Sequence, residues 1–374
     1  VSTPEERAWE VVRRAFEERQ PRPRRRAGGP VLAAAVAAAV VVVVAAAVLT
    51  PPGRAVFERV RQAVGVEHAA PALLSLPAPG KLLVESAERG GTWIVDADGA
   101  RRRIGAWEYA SWSPHGRFVV VAGRDELAAL DPQGRVRWML RRRDVAWPAW
   151  EGTDVDTRIA YSDADGLRVV AGDGTDDRLL DANAAAEPAA WDPARLHTLA
   201  YESGGAVVLQ QVDTGRVAWR AGVSAYGTLE WSSDGRRLAV VSPHRITVLD
   251  GRGRPVRWIG SLSGDLLAAS FQPGTHRLAV EVREAGPGGR RSEVRLVDVD
   301  RPGHARLLFA GPGVFGDVVW APNGRWLLVD WPTANQWVFL QGSRVHAVAN
   351  VAQQFPRPDG LGPQFELANR WCCG

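Results

Sequence analysis

The sequence predicts an all-β fold, a ring of small four-stranded sheets, and three observations carry the prediction. First, one pattern recurs: an aromatic residue, a tight turn, a basic residue and an apolar run. It reads Trp231-Ser232-Ser233-Asp234-Gly235-Arg236-Arg237-Leu238-Ala239-Val240-Val241, then Trp112-Ser113-Pro114-His115-Gly116-Arg117-Phe118-Val119-Val120-Val121, then Trp320-Ala321-Pro322-Asn323-Gly324-Arg325-Trp326-Leu327-Leu328-Val329. Second, the anchors Leu76, Trp112, Trp150, Trp191, Trp231, Phe271, Trp320 and Phe355 lie 35 to 49 residues apart. A period of about 40 marks a solenoid, an array or a propeller. Third, the apolar runs are short and rich in Val, as strands are and helices are not. Four short strands per forty residues make one blade of a β-propeller.

Taken in order, the chain opens with Thr3-Pro4-Glu5-Glu6, a helix start with a capping Thr, a first-turn Pro and a Glu that completes the box. Trp9, Val12 and Phe16 share one face of this predicted helix, which ends before Pro21. It is read either as a docking helix for a cytoplasmic partner or as a short solvated or membrane-surface helix. Arg22 to Arg26 follow, and residues 1–26 carry eight arginines against five glutamates. Val31 to Leu49 is an uncharged run of Val, Leu and Ala. At about 1.5 Å per residue it spans roughly 28 Å, close to a bilayer core. The arginine-rich flank places residues 1–26 in the cytoplasm and the rest outside. A cleaved leader peptide is the rival reading, with Ala45-Ala46-Ala47 as its cleavage site. Residues 50–71 form a linker with an amphipathic stretch, Val56, Phe57, Val60 and Val64 on one face, that lies on the membrane or under the ring.

The ring is assigned to residues 72–356. Each anchor introduces a type I turn with Pro at its second position or Gly at its fourth. A second turn follows, built on Asp and Gly, at Asp96-Ala97-Asp98-Gly99, Asp131-Pro132-Gln133-Gly134, Asp213-Thr214-Gly215 and Asp250-Gly251-Arg252-Gly253. The long interval from Phe271 to Trp320 is explained by an insert, Glu284 to Arg291, read as an extended hairpin tip. Eight anchors bound seven units, which predicts seven blades. Six is the alternative, because the units at Trp150 and Trp191 are degenerate. Strands before Leu76 and around Phe355 are expected to close the ring, which removes free sheet edges. Residues 357–374, rich in Pro and Gly, are expected to form a flexible tail.

The turn-plus-strand motif resembles the repeats of TolB-type and WD-repeat-like β-propellers over about residues 72–356. The resemblance implies a propeller, with six blades in the TolB type, and says little about function. The chain departs from true WD repeats in lacking recurrent Gly-His and Trp-Asp pairs. It matches the quinoprotein pattern well only at Asp213-Thr214-Gly215-Arg216-Val217-Ala218-Trp219.

The net charge of +4 resides mostly in the N-terminal segment, which leaves the ring near neutral. A near-neutral ring lacks the basic stripe that nucleic acid requires. The seven histidines show no zinc spacing. His115, His197 and His276 fall in comparable turns and read as turn filling. The acidic stretch Asp154 to Asp177 fits no EF-hand and reads as hairpin turns, with a calcium loop as the sharper alternative. No nucleophile elbow, metal cluster or cofactor motif is evident, so no catalytic, metal or cofactor residue is assigned. Cys372 and Cys373 allow a vicinal disulfide, a bond between two chains, or a frayed end.

Sixteen tryptophans are the compositional outlier. Trp112, Trp150, Trp191, Trp231 and Trp320 are blade anchors, with Phe271 and Phe355 completing the set. Trp138, Trp219 and Trp258 follow the Asp/Gly turns and read as blade packing. Trp331, Asn335, Gln336 and Trp337 stand where a plain hairpin is expected, and form the candidate partner-binding loop, with packing as the competing reading. The expectation is a single-pass membrane protein whose extracytoplasmic propeller binds a protein partner without catalysis. The rivals are a transmembrane regulator that binds a sigma factor through residues 1–26, a hydrolase or quinoprotein-like enzyme, and an envelope assembly factor.

Overall fold

The computed structural model describes residues 75–373, apart from 87–90, 154, 224–226, 261–263, 287–288, 302–304 and 356–364. The predicted cytoplasmic helix, the apolar run 31–49 and the amphipathic linker lie outside the described residues. Among the described residues, no helix is long and apolar enough to cross a membrane.

The described chain forms seven four-stranded antiparallel sheets, the blades of a closed propeller. Blade II comprises Tyr109–Trp112, Val119–Gly123, Glu126–Leu130 and Val136–Arg141 from the channel outward. Blade III runs over Ala146–Asp181, blade IV over Ala190–Ala221 and blade V over Leu229–Gly260. Blade VI covers Asp265–Pro312 and blade VII Val318–Ala349. The first strand of each blade touches the first strands of both neighbours, so these strands line the central channel. The insert in blade VI extends one hairpin, with Arg277–Gly286 pairing Gly289–Asp298 down to Gly286 opposite Gly289.

Six of the anchors occupy one structural position, the end of the inner strand, whereas Leu76 and Phe355 lie outside the strands. Each of the six pairs with the residue that opens the apolar run: Trp112 with Val119, Trp150 with Ile159, Trp191 with Leu199, Trp231 with Leu238, Phe271 with Leu278 and Trp320 with Leu327. In three of the units the side chain of the following residue caps the turn. The Oγ of Ser113 accepts the Phe118 amide at 2.8 Å, and the Oγ of Ser232 accepts the Arg237 amide at 3.0 Å. In the degenerate third unit Glu151 performs the same task, accepting the Arg158 amide at 3.2 Å. The anchor indoles reach across seams. Trp191, Trp231 and Trp320 donate Nε1–H to the carbonyls of Ala149, Ala190 and Ser270 on the preceding blade.

The core is therefore seven apolar layers, one in each seam. Between blades IV and V, for example, Ala200, Val207 and Leu209 meet Leu229, Trp231, Leu238 and Val240. On the outer rim, Trp138 and Trp219 donate to Gly172 and Gly251 of the next blade and lie over Gly174 and Gly253. Both glycines have positive φ, and a Cβ at either would meet the indole at under 3 Å. Trp258, expected to pack likewise, is 64% exposed.

Closure differs from expectation. The inner strand of blade I is Glu366–Cys372, which pairs antiparallel with Lys81–Ser86. Residues 366–372 thus belong to the ring and not to a flexible tail, and the ring runs past residue 356. The seventh anchor is Trp371, opposite Leu82, and not Phe355. Trp371 is 8% exposed, the same as Trp112, Trp231 and Trp320. Phe355 is buried after the one-turn helix Val351–Gln354, between Trp93 and Trp337 at ring-centroid distances of 5.5 Å each. That helix is tied to blade I by Arg101, whose guanidinium donates to Gln354 O at 2.8 Å and Oε1 at 2.5 Å. The ring is closed by the two ends of the propeller segment zipped into one sheet, which leaves no free inner edge.

Candidate functional site in the central channel

Short inner strands and small lining residues, among them Ala110, Ala149, Ala189 and Ala269, leave a central cavity of about 480 Å³. Its charged lining comes from three blades. Glu85 and Arg370 come from blade I and Glu230 from blade V, and Asp317 directly precedes the inner strand of blade VII. Arg370 is exposed to the channel and acts electrostatically on both Glu230 and Asp317.

Desolvation dominates these acids. Burial raises the Glu230 carboxyl, against the opposing pull of Arg370, the Phe271 amide and the Ser270 hydroxyl. The Ser270 hydroxyl lies 3.3 Å from Glu230 Oε1. Burial also raises Asp317, again opposed by Arg370. Asp330 is fully buried behind Asp317, and its Oδ2 accepts the Ala368 amide at 2.9 Å while Oδ1 has no hydrogen-bond partner. Burial and then Asp317 hold it well above the usual carboxylate range. Glu281, also buried, is pushed up to about 7 by desolvation, with Arg283 and Ser292 opposing. The charge of Asp317 opposes ionisation of both Asp330 and Glu281.

One mouth of the cavity is aromatic. Trp147 and Tyr109 line it with ring centroids 4.4 Å apart. Trp147 is 37% exposed and sits in left-handed backbone, φ 53, where the pairing of Ala146–Trp150 shifts register. A bulky residue there is an outlier that only its surroundings can hold in place. Burial, then Glu108 and Glu85, raise the Tyr109 phenol. The sequence alone assigns Trp147 no role. The available signal was Trp147-Pro148, which interrupts strand alternation just before an anchor.

The candidate loop of the last blade is mostly packed inward. Trp331, Gln336 and Trp337 are buried. Trp331 packs edge-on against Phe309 and Phe315 and donates to Pro312 O, while Trp337 faces Asp330 in the strand pair. Asn335, at φ 54, uses its side chain to receive the Ala352 amide and to donate to Gln353. The competing packing reading therefore accounts for these residues.

The acidic stretch is largely engaged in ion pairs. Asp177 is shared by Tyr161, Arg168 and Arg142, and Asp156 binds Arg158. His197 bridges blades, with Nδ1 on Asp213 and Nε2 2.6 Å from the Asp156 carbonyl. His276 repeats the device two seams further, with Nδ1 on Asp300 and Nε2 3.0 Å from Asp234 Oδ2. These two histidines do more than fill turns, since they join adjacent blades. Among the described residues no group of three or more His, Cys, Asp or Glu is arranged to hold a metal.

Fold and site together define a seven-bladed β-propeller with an acidic channel and an aromatic mouth. Among solved structures it is similar to Kuenenia stuttgartiensis hydrazine synthase, with a TM-score of 0.50, 13% identity, and coverage of 62% of this chain and 75% of that chain. It is also similar to BamB from Moraxella catarrhalis, with a TM-score of 0.45, 14% identity, and coverage of 72% and 81%. At such identity the likeness is one of fold alone. No family model matches the chain, and no curated protein matches it.

Proposed function

We propose that this chain is a membrane-held propeller that binds a protein partner outside the cytoplasm and does not itself catalyse a reaction. The observation that carries the reading is the channel mouth. A half-exposed tryptophan is fixed against a tyrosine on a rigid ring, beside a channel with ionisable walls. Aromatic anchors on a rigid frame are what protein recognition uses most effectively. The apolar run 31–49 and its arginine flank support the anchored, outward placement.

The test is a photo-reactive residue at position 147 in intact cells, with one at position 217 on the outer rim as control, read by mass spectrometry. A partner captured from 147 and not from 217 supports the reading, and equal capture from both overturns it. A topology reporter fused after residue 374 should report outside the cytoplasm, and a cytoplasmic signal sinks the placement. Partners lost on deleting residues 1–26 would instead favour the regulator reading, in which the predicted N-terminal helix carries a signal inward.

A further inference from the structure

The ring has one seam at which blade I is completed by the far end of the segment, and its last turn carries an unusual bond. Cys372 and Cys373, adjacent in sequence, are joined as a disulfide. Cys372 ends the closing strand opposite Lys81, one residue after the anchor Trp371. Cys373 sits in left-handed backbone, φ 61. Both residues are half-buried, so a small thiol can reach them.

The sulfurs do not hang free. They lie on the turn Pro114–Gly116 of blade II, where Gly116 has φ 60. A Cβ at Gly116 would overlap the Cys373 sulfur and would lie 2.9 Å from that of Cys372. The space is so fully used that one added carbon does not fit. Cys372 also packs against the apolar layer between blades I and II that contains Leu83, Ile94, Trp112 and Val121. In three of the other units this position holds a side chain that caps the turn, Ser113, Glu151 and Ser232. In blade I the anchor and the apolar run come from opposite ends of the segment, so no continuous chain forms the turn. The disulfide stands at that break.

We infer that the Cys372–Cys373 disulfide is a redox-operated latch on ring closure, and that a dithiol which reduces it loosens the seam between blades I and II. The exchange balances as follows. One thiolate of the dithiol attacks a cysteine sulfur, the S–S bond breaks, and a mixed disulfide forms. The second thiol of the reductant displaces the cysteine. The protein gains two electrons and two protons as two thiols, and the dithiol leaves as its own disulfide. The two released sulfurs then repel to van der Waals separation, for which the turn at Gly116 leaves no room. Either that turn or the end of the closing strand must shift. Outside the cytoplasm the closed form is the resting one.

The test uses the full chain, treated with dithiothreitol and then alkylated, with mass spectrometry to count blocked thiols. Hydrogen exchange is read in parallel. In the doubly alkylated protein, exchange should rise about tenfold or more in residues 81–86, 113–118 and 366–372, while blade V keeps its protection. The double variant Cys372→Ser, Cys373→Ser should resemble the reduced protein and ignore the dithiol. Three outcomes overturn the inference. The alkylated protein keeps the exchange pattern of the untreated one, the cysteines alkylate without reductant, or protection is lost across all seven blades.

Discussion

Replacing Trp371 by Ala tests the closure directly. The indole is 8% exposed, ends the inner strand of blade I and meets Phe339 edge-on at 5.8 Å. Removing a buried Trp costs roughly 3–5 kcal/mol. Unlike Trp231, whose Nε1–H binds Ala190 O at 3.2 Å, Trp371 has no hydrogen-bond partner for its indole N–H. The loss at 371 is therefore packing alone, whereas Trp231→Ala forfeits about 1 kcal/mol more. At about 2 °C per kcal/mol for a large domain, Trp371→Ala should lower Tm by roughly 6–10 °C. Scanning calorimetry measures the shift, and hydrogen exchange locates it. Lys81–Ser86, which pairs with the strand that carries Trp371, should open first. Phe355→Ala also removes a buried ring, but its exchange signature should fall on the Trp93 and Trp337 contacts. A Tm for Trp371→Ala within about 1 °C of the parent, alongside a large fall for Trp231→Ala, would show that the seventh anchor has been misassigned.

Three further outcomes follow from the same geometry. Burial pulls the His276 imidazole down, but Asp300 and Asp234 outweigh it and raise it above 6.5. Burial raises Asp234, but Ser232, Arg236 and His276 outweigh it and bring it to about 2. The histidine's contribution is complete below 6.5 and fades as pH climbs through its raised folded value. The aspartate's contribution is complete above 3.8 and fades as pH falls toward 2. The stability gap between parent and His276→Ala should thus be widest between 3.8 and 6.5, and a gap that does not vary with pH contradicts the blade-to-blade link. Glu281, an acid raised from 4.5 to about 7, has the opposite consequence for an acid: the ring loses stability as pH rises through that interval. The share due to Glu281 is bounded at roughly 3 kcal/mol, and Glu281→Gln should remove that share of the difference between urea titrations at pH 5 and pH 8. An identical pH slope in the variant would count against a buried proton there. Trp147→Gly should leave Tm nearly unchanged, because the relief of left-handed strain, about 1 kcal/mol, offsets a lost ring contact of similar size. It should nevertheless abolish capture of the proposed partner. A large fall in Tm would make Trp147 a structural residue.

The repeat was legible because every blade faces the same local problem. An inner strand must end, turn sharply and re-enter as a buried strand, and only a few residue types do this. Even the degenerate third unit conforms, since Glu151 replaces Ser as the side chain that satisfies the amide of the entering strand. Closure was hidden for the same reason. The seventh copy is cut in two, with Trp371-Cys372 at one end of the ring and Gly80-Lys81-Leu82 at the other, and a linear scan meets neither half as a repeat. Phe355 stood in because it falls 35 residues after Trp320, close to the spacing of a true anchor, yet its ring packs beside the sheets. Trp331 and Trp337 misled through their neighbours, since Asn and Gln made a buried strand pair resemble a polar loop. The channel was illegible for a geometric reason. Glu85, Glu230, Asp317 and Arg370 are contributed by three blades and lie up to 285 residues apart, so no local pattern relates them. A ring brings residues from separate blades to its axis. Sites of that kind become visible only when the register of the inner strands is known, and that register depends on which strand completes blade I. The closing strand that the repeat could not disclose is also the one that places Arg370 opposite Glu230 and Asp317, so the same unread segment concealed both the closure and the chemistry of the channel.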